Sequence, residues 1–234
     1  MSHPNRDRKN VFAHRAFAAR ADELRALDLN ARFAHIYETN LWGSEGSRSG
    51  SGSESDQTAR IRQHLPQVLR SIGATSMLDA PCGDFAWMRL VDLEGVRYFG
   101  ADIVPEIVER NRAEFSSDCR DFLCLDLTKD PLPAVDLVFC RDCLVHLRAA
   151  NIWKVVANLK RSGCQWLLTT TFTEHDIYEE IEDGDWRMLN LQREPFCFPD
   201  PQHILNEGCT ESGGYYSDKS LGLWRIQDLP NPPE

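Results

Sequence analysis

The feature that most constrains this chain is an alternation that begins at residue 58, where short apolar runs of strand length are separated by stretches of helix length. Residues 58 to 72 place Ile61, Leu65, Val68, Leu69 and Ile72 on one helical side, across Pro66. A strand Ser76 to Ala80 follows, then strands at Arg97 to Asp102, Phe122 to Leu125, Val135 to Cys140 and Gln165 to Thr171. Helices near 104 to 115 and 149 to 161 lie between them, with a short one around Trp87 and Met88. Parallel neighbours need a crossover connection, so this order predicts a doubly wound parallel sheet with helices on both faces. After Thr171 the alternation decays into an acidic helix near 174 to 182, a Pro-rich aromatic segment and one more apolar strand, Leu221 to Ile226. Upstream, residues 11 to 36 carry Phe12, Phe17, Leu24, Leu27, Phe33 and Ile36 at helical recurrence and predict one or two surface helices.

Composition narrows the class. With 234 residues, 42% hydrophobic and 26% charged, the chain reads as one globular unit with a full core. Lys and Arg total 26 against 36 Asp and Glu, a formal charge of -10, which repels phosphate backbones and anionic membrane surfaces. The basic cluster Arg6, Arg8 and Lys9 is short and diluted by Asp7, so neither nucleic acid nor membrane is an expected partner. No apolar run reaches membrane-spanning length and the first residues lack a secretory pattern, which makes the cytoplasm the expected compartment. Eight cysteines, mostly inside apolar runs, read as reduced core thiols. Cys140 and Cys143 form a CxxC, yet no second pair or paired histidines follow at zinc-finger spacing, so no metal is expected.

Ligands of open parallel sheets bind beyond the carboxyl ends of the strands. The first strand ends in Leu78-Asp79-Ala80-Pro81-Cys82-Gly83-Asp84-Phe85, a carboxylate followed by a tight turn with one glycine and then a helix start with free amides. The second ends in Gly100-Ala101-Asp102-Ile103, which places an acid about twenty residues on, where nucleotide sites hold a ribose diol. The third ends in Leu125-Asp126-Leu127, an acid and an apolar neighbour suited to a purine. Each acid also has a structural reading: Asp84 and Asp102 precede helices and could cap them, and Asp126 could belong to a turn. Together their spacing describes an adenosine pocket. A dinucleotide-binding turn is disfavoured, because Pro81 and Asp84 stand where a pyrophosphate needs crowded amides and no negative charge.

On these residues the chain resembles the class I S-adenosylmethionine-dependent methyltransferases over roughly residues 37 to 226. Their glycine-rich first motif appears here with only its middle glycine, Gly83. The resemblance implies a Rossmann-like sheet of about seven strands, mostly parallel, with an antiparallel strand near the C-terminus. It implies Asp79 and Gly83, with Pro81 and Asp84, near the methionine moiety, Asp102 and Ile103 at the ribose, and Asp126 with Leu127 at the adenine. Arg141 and Asp142 fall at the substrate side. The wording LDAPCGDFxWM and RDCLVHL resembles a bacterial and viral subgroup associated with O-methylation of glycans or small molecules.

In Cys140-Arg141-Asp142-Cys143-Leu144-Val145-His146, Asp142 and His146 are four apart and share a face if a helical turn follows the strand. Methyl transfer to a hydroxyl requires positioning and removal of a proton, so this pair is the candidate catalytic unit, with the carboxylate fixing the tautomer of His146 and raising its basicity. A buried, packed histidine is the structural alternative. No clustered oxygen ligands for a metal mechanism appear, so activity is expected to survive a chelator. The Gly/Ser-rich stretch after Tyr37 and Trp42 reads either as a linker or as a cover whose Trp42, Ser49, Gly50 and Ser51 lie against the cofactor. This divides the chain into an N-terminal segment, 1 to 57, and a methyltransferase domain, 58 to 234. Thr169 to Thr171, His175, Asp185 to Arg187, Pro195 to Pro199, Tyr215, Tyr216 and Lys219 could wall a sugar or other polyhydroxylated acceptor, whereas Trp224 reads as core. A non-catalytic cofactor-binding module and an N-methyltransferase are the competing functions.

Overall fold

The computed structural model describes residues 11–43 and 50–233. Seven strands form one sheet: β1 (Ser76–Asp79), β2 (Arg97–Asp102), β3 (Arg120–Cys124), β4 (Leu137–Cys140), β5 (Trp166–Phe172), β6 (His203–Asn206) and β7 (Lys219–Arg225), in the order β3-β2-β1-β4-β5-β7-β6. The first five pair in parallel, and β7 runs antiparallel to both β5 and β6. This is the doubly wound, mostly parallel sheet with its antiparallel C-terminal strand. β6 is a strand the sequence pattern does not announce: His203 and Ile204 face solvent and only Leu205 is buried, so it has no apolar run.

Because strand side chains alternate, each buried strand feeds two cores. Met77, Leu137, Phe139 and Leu168 pack with Ile61, Leu65 and Leu69 of α4 (Ala59–Ser71) on one face. Leu78, Val138 and Leu167 pack with Val155, Val156 and Leu159 of α6 (Ala149–Arg161) on the other. The crossover α5 (Pro105–Phe115) begins on a proline, whose missing N–H and fixed φ suit the first helical turn.

The N-terminal segment forms three helices rather than two: α1 (Phe12–Ala18), α2 (Ala21–Arg25) and α3 (Leu29–Glu38). Asp28 caps α3 by accepting from the Ala31 amide at 2.9 Å. α3 is tied to the body of the protein by Asn30 Nδ2, which donates to the Ile103 carbonyl, by the buried Arg32, which donates to the Asp183 carbonyl, and by Tyr37, whose hydroxyl accepts from Arg110.

Two local expectations fail for physical reasons. Residues 174 to 182 form no helix. Their acids are used elsewhere: Glu180 accepts from the Ala149 amide and, just beyond, Asp183 accepts from the Arg148 amide, which caps α6 from outside, where its own N-cap side chain makes no bond. The turn after β1 does not open a helix either, and leads only to a 3-10 turn, Met88–Leu90. All eight cysteines are free, but Cys119, Cys124 and Cys197 are exposed rather than in the core.

Candidate active site

A crevice of about 1120 Å³, its open mouth included, lies beyond the carboxyl ends of β1, β2 and β4, with the loop after β3 at one side. The register explains the convergence: Asp79 pairs with both Gly100 and Phe139, so these strands end together, and Asp102 reaches two residues further toward the ligand side. Asp79, Pro81, Gly83, Asp84, Asp102, Ile103, Asp126, Leu127, Arg141, Asp142 and His146 all line this space. The opposite wall comes from α3 through Leu29, Phe33, Ile36 and Tyr37, followed by Trp42. Ser49 lies outside the described residues. Gly50 precedes a short turn, Ser51–Ser53, whose last residue faces the crevice.

The turn after β1 is held by its neighbour strand. Gly83 has φ +51°, a left-handed conformation that glycine adopts without strain. Its N–H donates to Asp102 Oδ2 at 3.1 Å and its carbonyl accepts from the buried Asn111 at 2.7 Å. Asp102 Oδ1 accepts from the Val104 amide, so this acid does both things the sequence allowed: it organises the entry to α5 and it faces the crevice. Asp126 likewise closes a turn by accepting from the Thr128 amide and hydroxyl. Asp84 accepts from the Ala86 amide.

Burial without a paired countercharge shifts two of these acids, and only Asp79 feels a cation, Arg141, whose pull is outweighed by desolvation. Asp79 is buried and accepts one hydrogen bond from Tyr98 at 2.6 Å; desolvation, with the nearby Asp102 adding to it, pushes its carboxyl up to about 8. Asp102 is pushed up to about 6 by the same burial, against the pull of its backbone donors.

The other side of the crevice is paired. Arg141 donates through Nε and Nη2 to Glu207 Oε2 at 3.2 and 2.8 Å, and Nη2 also reaches the Gly52 carbonyl at 2.8 Å. Lys219 Nζ lies 2.7 Å from Asp142 Oδ2 and 3.5 Å from Glu207, and Arg141 Nη1 lies 3.4 Å from Asp142. Two cations and two anions thus close a ring in which Arg141, Glu207 and Lys219 are buried. Although burial alone would raise it, Asp142 is held well below the usual carboxylate range by Lys219 and Arg141.

His146 differs from its expected role. It sits in a 3-10 turn, Leu144–His146, and its Nδ1 is 2.7 Å from the Asp185 carbonyl. A carbonyl only accepts, so the ring proton is on Nδ1 and the tautomer is set by Asp185, not by Asp142. Basicity is not raised: burial pushes the imidazole down to about 4, overriding the nearby carboxylates, and the ring is neutral at physiological pH with a bare Nε2. Trp42 stacks on it with centroids 4.3 Å apart.

The residues suggested as an acceptor wall do not line this crevice. Thr169 donates to the Cys140 carbonyl, Thr170 accepts from the Asp142 amide and Thr171 accepts from the Leu191 amide, so these hydroxyls serve the backbone. Trp186 and Tyr216 pack edge to face around Phe172, and Trp224 is core, with its indole donating to Pro199. Glu207 escaped notice because its partners are reached through strand pairing, not sequence spacing. The available signal was Lys219 at the head of the apolar run KSLGLWR, since a buried lysine requires an anion.

Residues 78–163, the segment that carries β1 through α6, match the family model described as a methyltransferase domain. Among solved structures the chain is similar in fold to the 1,6-didemethyltoxoflavin-N1-methyltransferase of Burkholderia thailandensis, at 15% identity and a TM-score of 0.57, covering 91% of this chain and 90% of that one. It is also similar to the methyltransferase domain of a bacterial Hen1, at 14% identity and a TM-score of 0.52, covering 72% and 98%. No curated protein matches it in sequence. The residues would fit S-adenosylmethionine: two buried carboxylates that no cation pairs with, Asp79 and Asp102, suit a ligand that brings positive charge and a diol.

Proposed function

We propose that this chain is an S-adenosylmethionine-dependent methyltransferase that acts on a hydroxyl of a small polar acceptor, a sugar or other metabolite, a reading supported by the methyltransferase-domain match over residues 78–163 and by the resemblance of its LDAPCGDFxWM and RDCLVHL wording. The observation that carries the reading is His146, whose proton is fixed on Nδ1 and whose bare Nε2 makes no hydrogen bond among the described residues while its ring lines the crevice. When bound, S-adenosylmethionine supplies a methyl carbon activated by its sulfonium. Asp102 and Ile103 hold the ribose, Asp126 and Leu127 the adenine, and Asp79, Pro81, Gly83 and Asp84 the methionine end. Trp42, with Gly50 and Ser51 of the Gly/Ser-rich segment, covers the crevice and excludes water, so that the N-terminal segment acts as a cover on the domain formed by 58 to 234. Arg141 anchors that cover through Gly52.

His146 Nε2 accepts the hydrogen bond of the incoming hydroxyl, which aligns an oxygen lone pair with the methyl carbon, and takes its proton as the new bond forms. Asp142, ionised throughout, stabilises the imidazolium that results. The low basicity of His146 supports a second reading, N-methylation, because an amine or ring nitrogen attacks with its own lone pair and asks less of a base.

Incubation with S-adenosylmethionine and a panel of sugars, phenols and amines, followed by mass spectrometry, tests both. O-methylated product with stoichiometric S-adenosylhomocysteine is the expected result. Exclusive N-methylation would replace the first reading with the second. Binding of S-adenosylhomocysteine without turnover of any acceptor would instead favour a non-catalytic module.

A further inference from the structure

Residues 183–187 lie between the N-terminal helices and the loop that carries His146, and they are laced to that loop atom by atom. Gly184 N–H donates to the His146 carbonyl at 2.8 Å, His146 Nδ1–H donates to the Asp185 carbonyl at 2.7 Å, and Arg187 N–H donates to the Val145 carbonyl at 3.1 Å. The Asp185 peptide therefore decides which imidazole nitrogen carries the proton. That peptide is held by these backbone bonds, by the Asp185 N–H, which donates to the Glu182 carbonyl at 3.1 Å, and by the side chain of the same residue. The Asp185 carboxylate is buried, accepts from the Trp186 amide at 2.7 Å, and receives His14 Nδ1 at 2.8 Å on Oδ1 and 3.1 Å on Oδ2. A carboxylate accepts, so His14 also donates from Nδ1. His14 sits on α1, 171 positions away in sequence, and no catalytic motif contains it.

We infer that His14 and Asp185 are positioning residues: the N-terminal helix, through the His14–Asp185 contact, fixes the carbonyl that locks the tautomer of His146. The inference rests on the proposed role of His146 for its catalytic consequence, but the tautomer itself is independent of that role. Two histidines thus act in series. His14 holds Asp185 by its carboxylate, and Asp185 holds His146 by its carbonyl. The arrangement makes the bare Nε2 conditional on α1 being docked, so the N-terminal segment contributes to the chemistry as well as covering the crevice.

The test uses the full chain labelled with 15N-histidine. Of seven histidines, the His146 signals are assigned by their loss in His146→Gln. The wild type is expected to show a protonated Nδ1 and an unprotonated Nε2 as a single tautomer. In His14→Ala the two tautomers should mix, and turnover of the best acceptor in the panel should fall by about tenfold with the KM for S-adenosylmethionine unchanged. His14→Asn, whose amide places a donor near the former Nδ1, should restore both. If His14→Ala unfolds, His14→Gln, which keeps the bulk but displaces the donor, is read in the same way. A single, unchanged His146 tautomer in the folded variant overturns the inference. Mixed tautomers with undiminished turnover would uphold it and sink the catalytic reading of His146 instead.

Discussion

Two halves of one crevice use the same residue type in opposite ways. On the β1–β2 side, Asp79 and Asp102 are buried with hydrogen-bond donors but no adjacent cation, and burial pushes them up to about 8 and about 6. On the β4 side, Asp142 touches Lys219 and Arg141 and stays ionised far into acid. The contrast teaches that the first half has no cation paired with its acids and favours their protonated form by burial, whereas the second is complete, its charges neutralised within the chain. Under the proposed function, a cofactor with a cationic sulfonium and ammonium group sits against the first half, and an acceptor whose proton must leave sits beside the second.

The largest break in this contrast should come from removing a cation from the complete half. Lys219→Met leaves Asp142 and Glu207 sharing one arginine in a buried ring, and loss of one partner from such a cluster costs about 3–5 kcal/mol. The thermal midpoint should drop by roughly 10 °C or more. Asp79→Asn is the counterpart in the other half, and it should leave the midpoint unchanged or raise it. Equal losses in the two variants would mean that the halves are not electrostatically different.

His146→Ala should lower turnover by about 10² to 10⁴-fold while leaving S-adenosylhomocysteine affinity within a few fold. Isothermal titration and initial rates separate the two. An equal loss of binding and turnover would place His146 in the cofactor half and erase the division.

How far this division was legible follows from the distances involved. The acids of the open half stand at strand ends, and strand ends are marked locally by apolar runs and a turn, so Asp79, Asp102 and Asp126 could be read from spacing. The complete half is assembled by pairing across the sheet. Glu207 follows β6 and Lys219 begins β7, and they meet Arg141 only because β7 lies antiparallel beside β5, which itself neighbours β4. The same holds for His146: four-residue spacing suggested Asp142 as its partner, while the actual partner arrives from residue 185. Local pattern also misled at 174 to 182, where Glu180, with Asp183 just beyond, serves as an external cap for α6. Sequence spacing finds crevice-lining residues held by one strand end, and misses contacts that need two distant segments to meet.

The open half should also show in pH dependence. Asp79 titrates near 3.8 when unfolded and near 8 when folded, so the folded chain holds more protons between these values. Stability therefore falls as pH rises through that window and levels off above about 8, and Asp79→Asn should flatten this slope. Binding of a cationic ligand favours the ionised acid, so S-adenosylmethionine affinity should rise by up to about tenfold per pH unit below 8, with proton release. Titration in buffers of different ionisation enthalpy measures that proton. Affinity and proton count independent of pH would mean that Asp79 already carries its charge, and the two halves would be alike.

The smallest expected effect lies at the seam between the halves. Gly52 is docked on the complete half: a Cβ there would stand 3.0 Å from Asp142 Oδ2 and 3.3 Å from Lys219 Nζ, while the Gly52 carbonyl binds Arg141. Its φ lies outside the left-handed region, so Gly52→Ala tests contact rather than backbone strain. The ring can yield by a few tenths of an ångström, so a cost of about 1 kcal/mol is expected. Because the adjoining Ser53 faces the crevice, that cost should appear as a several-fold faster release of S-adenosylhomocysteine with little change in Tm. An unchanged release rate with a lowered Tm would make the Gly52 contact a stabilising one alone, and would separate the ion-pair ring from the closing of the cover.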